Sequence, residues 1–276
     1  MKLEKIWAVY FSGTGTTRRT VERIAGGIAS RLNLPAESVD FSHPAVRQET
    51  LGFGEKDLVV FGTPVYAGRV PNVLLPFLRE RIVGGGALAV PVVLFGNRNY
   101  DDALIELRNI LAADGMHPIA AGAFVGEHSF SRVLGADRPN AEDEALMDEF
   151  AARVAALAAG LDAAPVKSAA VRGQEPLRPY YTPRDRAGNP INILKVKPKT
   201  DLSRCGGCGL CADLCPMGSI DPADVSAVRG ICIKCCACVK GCPTGAKFFD
   251  DAGYLYHQHE LEAQYARPAE NEVFYL

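Results

Sequence analysis

The sequence carries no excess of charge of either sign. Thirty basic against 32 acidic residues leave a net charge of −2, so the global electrostatic footprint of a nucleic-acid binder is missing. No long apolar run occurs near the start. The short hydrophobic stretch after Met1–Lys5 is too brief to span a bilayer and lacks the small-residue cleavage site of a secretory leader. A reducing cytoplasm is therefore the expected setting. Two nucleotide fingerprints are also missing. A dinucleotide loop built on Gly13 and Gly15 needs a third glycine at position 18, where Arg18 stands, and no Gly-Lys-Ser/Thr follows to make a Walker loop. No acid–base pair stands out. Cysteine, by contrast, is abundant, with nine residues.

Eight of the nine form one pattern written twice. Cys205, Cys208, Cys211 and Cys215 are spaced C-x2-C-x2-C-x3-C before Pro216. Cys232, Cys235, Cys238 and Cys242 repeat that spacing before Pro243, 27 residues later. Structural zinc sites separate their C-x2-C pairs by longer loops, disulfides suit small secreted domains, and unligated core thiols have no reason to fall into register twice. The spacing points to two 4Fe–4S clusters, in which the fourth cysteine of each run ligates the other cluster. Cys205, Cys208, Cys211 and Cys242 are then expected on one cluster, and Cys232, Cys235, Cys238 and Cys215 on the second. Cys236, between ligands, is expected as a packed thiol.

The 276 residues are too many for such a cluster domain alone and suit a larger domain of about 150 residues beside it. Four segments are expected: 1–165, a first domain; 166–199, a basic Pro-rich linker; 200–250, the cluster domain; and 251–276, a tail. The linker has 8 basic and 2 acidic residues, whereas residues 1–165 have 16 and 20, and the tail 1 and 5. Five prolines from Pro176 to Pro198 stiffen the linker. Tyr180, Tyr181, Ile191, Ile193 and Leu194 make it too apolar for a free tether, so it is expected to lie along a domain surface. The aromatic and aliphatic residues of the tail likewise suggest that it packs back on the protein.

In the first domain Ile6–Phe11 reads as a buried strand, and Val21, Ile24, Ala25, Ile28 and Leu32 mark the inner face of a helix. Between them Ser12-Gly13-Thr14-Gly15-Thr16-Thr17 offers hydroxyls and backbone N–H groups at a helix start, a place for a phosphate. Strands at Leu58–Gly62 and Val90–Phe95 run into the loops Thr63–Pro71 and Gly96–Asp102. Further strands near Ser38–Phe41 and Pro118–Gly126, with helices near Ala103–Asp114 and Ala141–Gly160, complete five strands alternating with helices. Such a pattern is a doubly wound parallel sheet, with ligands outside the carboxyl ends of the strands.

The first loop resembles the S/T-x-T-G-x-T loop of flavodoxins through Ser12, Thr14, Gly15 and Thr17, with Thr16 between. The resemblance implies strand order 2-1-3-4-5 and FMN, with its phosphate on this loop. It also implies an isoalloxazine ring flanked by the second loop (Pro64, Val65, Tyr66, Gly68, Arg69) and the third (Gly96, Asn97, Arg98, Tyr100, Asp101). Tyr66 and Tyr100 are the expected stacking faces. Gly68 is expected to supply a flexible peptide toward flavin N5, Arg69 to neutralise reduced flavin or meet a partner, and Asp101 and Asp102 to add an anionic field or cap a helix. His128, at the carboxyl end of a predicted strand, is expected either to approach the flavin or, as a lone histidine more often does, to serve as a structural hydrogen-bonder. The cluster domain resembles α+β bacterial ferredoxins. The chain as a whole is thus similar to a flavodoxin–ferredoxin fusion family. That implies electron transfer among FMN, two 4Fe–4S clusters and a protein donor and acceptor under anaerobic conditions, in an oligomeric state left open. The alternatives are a flavin-dependent reductase of a small organic substrate and a redox sensor.

Overall fold

The computed structural model describes all residues, Met1–Leu276. Its first part is a parallel sheet of β1 (Lys5–Tyr10), β2 (Ala36–Asp40), β3 (Asp57–Pro64), β4 (Leu88–Phe95) and β5 (Ala120–Val125). They lie in the order 2-1-3-4-5. The helices between them are α1 (Thr16–Leu32), α2 (Leu75–Arg81), α3 (Ala103–Ala113) and, after β5, α4 (Ala141–Ala159). Neither face of the sheet meets water. One face packs a cluster of 24 buried residues against α2 and α3, and the other a cluster of 23 against α1 and α4. That is why the central strands read as continuous apolar runs rather than alternating ones.

Register sets where the loops emerge. Tyr10 is opposite Gly62, Gly62 opposite Val92, and Phe95 opposite Val125. The loops after β1, β3, β4 and β5 therefore leave the sheet at one edge. Gly62 brings α1 to that edge closely, because a Cβ there would lie 2.3 Å from Val21 Cγ2. Fully buried Val21, Ile24 and Ile28 hold the helix down, each side chain contributing roughly 1.5–3 kcal/mol.

The cluster domain has little regular structure: α5 (Leu210–Asp213), α6 (Ala237–Lys240) and a two-stranded antiparallel pair, Lys199–Thr200 with Lys247–Phe248. The 27-residue repeat extends to the backbone. Gly207 and Gly209 have φ of 69° and 74°, and their counterparts Lys234 and Cys236 have 54° and 58°. Curling the chain around three thiols demands the left-handed region at these positions. Glycine takes it freely in the first run, whereas the second run holds two side-chain-bearing residues there against steric cost.

Residues 166–199 contain no helix and one isolated bridge, Arg184–Pro190. After the cluster domain come α7 (Ala252–Gln264) and β6 (Glu272–Tyr275). β6 pairs antiparallel with β5 and gives the sheet a further strand from the far end of the chain. No helix is long and apolar enough to cross a membrane.

Candidate functional site

At the loop edge, Gly15 (φ 87°) turns the chain from β1 into α1. Ser12 is fixed at both ends: its N–H donates to Ser42 Oγ (2.7 Å), and its Oγ accepts from Arg18 N–H (3.1 Å). Thr14 and Thr16 face a polar cavity of about 460 Å³ shared with Arg19, Arg138 and Lys240. Glu127, Asp137 and Glu144 line it too, and Arg138 and Lys240 are paired with Asp143 and Glu127, which leaves Arg19 as its cation without an ion pair. Hydroxyls, that guanidinium and a helix start suit a phosphate. Arg18 turns away from it to pair with Glu22.

The second loop is a small hairpin. Tyr66 and Arg69 exchange backbone hydrogen bonds of 3.0 and 3.1 Å around Ala67 and Gly68, both at positive φ. Only glycine fits at 68, since a Cβ would lie 2.3 Å from Asp101 Oδ2. Gly13, Thr14, Thr16, Thr17, Pro64, Val65, Tyr66, Gly96 and Gly126–Ser129 enclose a narrow slot, which leads from the hydroxyl loop toward a larger cavity of about 420 Å³. Val65, Tyr66, Gly68, Gly96 and Arg98 line that larger cavity.

Four expected ring-flanking residues point elsewhere. Tyr100 is buried beneath the third loop, packs on Phe95 and donates to Glu272 Oε2 (2.8 Å), so it offers no face to the cavity. Arg69 makes a two-pronged ion pair with buried Glu106 (2.7 and 2.6 Å) and lies over the ring of Tyr180. A bidentate pair with a buried carboxylate is a strong competitor for a guanidinium. Asn97 ties down the tail, donating to Tyr265 O and Arg267 O and accepting from Ala269 N–H. Asp101 is consumed by the ion pair with Arg98. Asp102, fully buried, neither caps α3 nor faces the cavity. It accepts from the backbone N–H groups of Gln174 and Arg178 (3.0 and 2.8 Å) and from the Arg178 guanidinium. Those bonds, the Arg178 side chain first, hold its carboxyl at about 2.

Much of the larger cavity's wall comes from residues outside the three loops of the flavodoxin resemblance. His128 and Phe130 follow β5; Tyr181, Ile193 and Leu194 come from the linker; Ile233 and Lys234 from the second cysteine run; His257 and Leu261 from α7. His128 thus lies on the cavity wall rather than being only a structural hydrogen-bonder. Burial, and the positive charge of Lys240 after it, lower His128 to about 4. The apolar character of the linker was the one signal in the sequence for these additions.

The cysteines divide by burial. Cys215 lies beside Cys232, Cys235 and Cys238 in a closed apolar pocket with Pro216, Ile233 and Phe249. Burial pushes the Cys235 and Cys238 thiols up to about 12, and the neighbouring cysteines, Cys215 among them, add to the effect. Cys205, Cys208, Cys211 and Cys242 are on the outer side, with Cys208 exposed. On Cys242 burial is the largest influence and acts upward, but hydrogen bonds from Thr244 and the Lys247 and Ala246 amides outweigh it and bring the thiol to about 7. Equivalent amides point at the two fourth cysteines: Ser219 N–H to Cys215 Sγ (3.4 Å) and Ala246 N–H to Cys242 Sγ (3.2 Å). Soft thiolates with amide donors suit an iron–sulfur cubane. Cys236 is a buried thiol 3.4 Å from Tyr254 Oη, turned to the α7 side.

The two halves meet at the slot. A Cβ on Gly13 would lie 3.0 Å from Cys235 Cβ. Lys240 of α6 donates to Glu127, His128 O (2.7 Å) and Ser131 O (2.9 Å). Arg47 bridges Phe41 O and Ser42 O to Pro216 O.

Comparison with protein families matches a flavodoxin domain at residues 8–103 and a 4Fe–4S binding domain at residues 198–221. The chain is a fusion of a flavodoxin domain with a 4Fe–4S binding domain. The second match covers the first cysteine run and not the second. Similar solved structures of the fusion's first part include a flavodoxin from the domain Archaea (17% identity, 55% of this chain and 96% of that one, TM-score 0.41). A short-chain flavodoxin associated with a non-canonical PDU bacterial microcompartment is also similar (17% identity, 56% and 99%, TM-score 0.38). So is a Fusobacterium nucleatum flavodoxin mutant bound to flavin mononucleotide (14% identity, 55% and 95%, TM-score 0.36). No curated protein matches the fusion. A flavodoxin domain implies FMN and a 4Fe–4S domain implies a cluster, so the fusion belongs in general terms to electron-transfer proteins.

Proposed function

We propose that the fusion holds one FMN and two 4Fe–4S clusters and carries electrons between them and external redox proteins. FMN would supply a centre that exchanges one or two electrons, and each cluster one that exchanges a single electron. The single observation that carries the proposal is the approach of Cys235, one of the buried cysteine set, to Gly13 on the wall of the slot beside the hydroxyl loop. Ser12, Thr14, Gly15, Thr16 and Thr17 would hold the phosphate. Pro64, Val65, Tyr66, Gly68, Gly96 and Arg98 would flank the ring. Cys232, Cys235, Cys238 and Cys215 would hold the inner cluster, and Cys205, Cys208, Cys211 and Cys242 the outer.

The chain's own residues organise the assembly. Lys240 and Arg47 orient the inner cysteine loop against the flavodoxin domain, and the apolar residues around Cys215 exclude water from it. Exposed Cys208, with Leu202, Leu210 and Leu214 exposed in the same domain, offers a docking edge to a protein donor or acceptor. Such thiolate centres suit a reducing, oxygen-poor cytoplasm. An anaerobic potentiometric titration followed by visible absorbance and electron paramagnetic resonance tests the proposal. The expected result is one flavin and two magnetically coupled cubanes per chain. Iron sufficient for a single cubane, or no retained flavin after mixing with FMN, overturns it. A second reading, reductase of a small organic substrate, is favoured by the volume of the larger cavity, and turnover of chemically reduced protein without a protein acceptor would establish it.

A further inference from the structure

The larger cavity has two unlike walls. One belongs to the flavodoxin domain: Val65–Gly68 with Phe95, Gly96, Arg98 and Asn99. The opposite wall lies wholly outside the matched flavodoxin region and is assembled from four separate segments of the chain. It is aromatic and aliphatic, with a few polar groups set into it, which is the usual make-up of a small-molecule site.

Those polar groups keep unused hydrogen-bonding capacity. His257 is only 5% exposed. Its ring is held by stacking alone, against Tyr181 (centroids 5.9 Å apart) and edge-on to Phe130 (6.2 Å). It makes no hydrogen bond within the chain, although a buried imidazole ordinarily finds a partner. His128 Nδ1 accepts from Phe130 N–H (3.1 Å), so its proton resides on Nε2, which stays available as a donor. Lys234 spends two N–H groups on Leu194 O (2.5 Å) and Cys232 O (3.0 Å) and keeps a third. Phe130 stands between the two imidazoles and touches both edge-on. At the rim, Leu194 and Ile231 are 80% and 64% exposed, which makes an apolar mouth.

We propose that this wall is the binding site of a small, planar, conjugated molecule carrying a carbonyl or phenolic oxygen, its flat body lying against Phe130, Leu194 and Leu261 and its oxygen received by His257 and His128. The proposal rests on the reading that FMN takes the flavodoxin-side wall, and it gives the reductase reading a substrate class. A flat apolar body matches the aromatic and aliphatic lining. The oxygen matches the His257 ring and the His128 Nε2–H, which have no partner within the chain and which a purely apolar ligand would cover without pairing. Lys240 fixes the His128 carbonyl from outside the cavity, so the imidazole is held rather than free to swing.

Anaerobically purified protein, with FMN and iron quantified first, is dialysed to equilibrium against 2-naphthol and, separately, against naphthalene. The expected result is saturable binding of one 2-naphthol per chain, about tenfold tighter than naphthalene, the loss typical of a missing hydrogen bond. A shift of the visible flavin band accompanies it. His257→Ala weakens 2-naphthol about tenfold while FMN and iron stay unchanged, and His257→Gln, which keeps an amide donor, recovers part of the loss. Leu194→Trp, at the exposed mouth, weakens entry without touching the core. Absence of saturable binding in protein full of FMN and iron, equal affinity for naphthalene, or unaltered binding in His257→Ala overturns the proposal. Protein that takes up no FMN refutes the relay reading instead, and the dialysis still judges the cavity by the same comparison.

Discussion

Lys240 is the side chain on which the docking of the two halves depends most directly. Its ammonium, 14% exposed, meets a carboxylate and two carbonyls of the loop after β5, while its backbone sits between Cys238 and Cys242. Lys240→Met keeps length and apolar bulk and removes all three bonds. The Glu127 pair is a third exposed on the acid side and so contributes less than a buried pair. Each carbonyl left without its cationic donor costs roughly 1 kcal/mol, more if water cannot reach it. The whole change is about 2–4 kcal/mol, or roughly 30- to 1,000-fold in the ratio of docked to undocked states. Hydrogen exchange on the cluster-loaded protein reads this directly. Amides of 127–134 and 232–242 should lose protection together in Lys240→Met, whereas amides of β1, β3 and β4 should not change. If both segments keep wild-type protection, Lys240 is not a clamp and the two halves are held by packing alone.

Three further outcomes follow from the geometry. Cys215→Ser should abolish the inner cluster and Cys242→Ser the outer one, read from iron content and paramagnetic signals. The opposite assignment would refute the crossed ligand sets. Tyr66→Ala should weaken FMN at least severalfold in a fluorescence titration, whereas Tyr100→Phe should leave FMN affinity unchanged and lower the midpoint of thermal unfolding, by loss of a hydrogen bond to β6 of about 1 kcal/mol. Asp102 titrates near 2 in the folded chain, below the ordinary 3.8. A depressed carboxylate contributes stability that is present above its ordinary value and lost as pH falls toward the folded one. Protection of the Gln174 and Arg178 amides should therefore drop between about pH 4 and pH 2. In Asp102→Asn it should be low already at pH 7 and flat through that window.

Sequence by itself determined the features whose signals are local. Cysteine spacing is a statement about how one short loop wraps one cluster, so the two runs and the packed role of Cys236 were legible without coordinates. Apolar runs punctuated by turn residues marked five strands, and the hydroxyl loop followed from its place between a strand and a helix. Tertiary structure alone decided which way side chains in the second and third loops face. Tyr100 turns inward because Glu272, 172 residues away, receives its hydroxyl. Arg69 is withdrawn by Glu106, and Asn97 by the turn after α7. The imidazole of His257 reaches the cavity only because the linker and α7 close over it. Such orientations result from competition among partners distant in the chain, and a hydrogen bond or ion pair formed across the fold outweighs the weak preference of any loop residue taken alone.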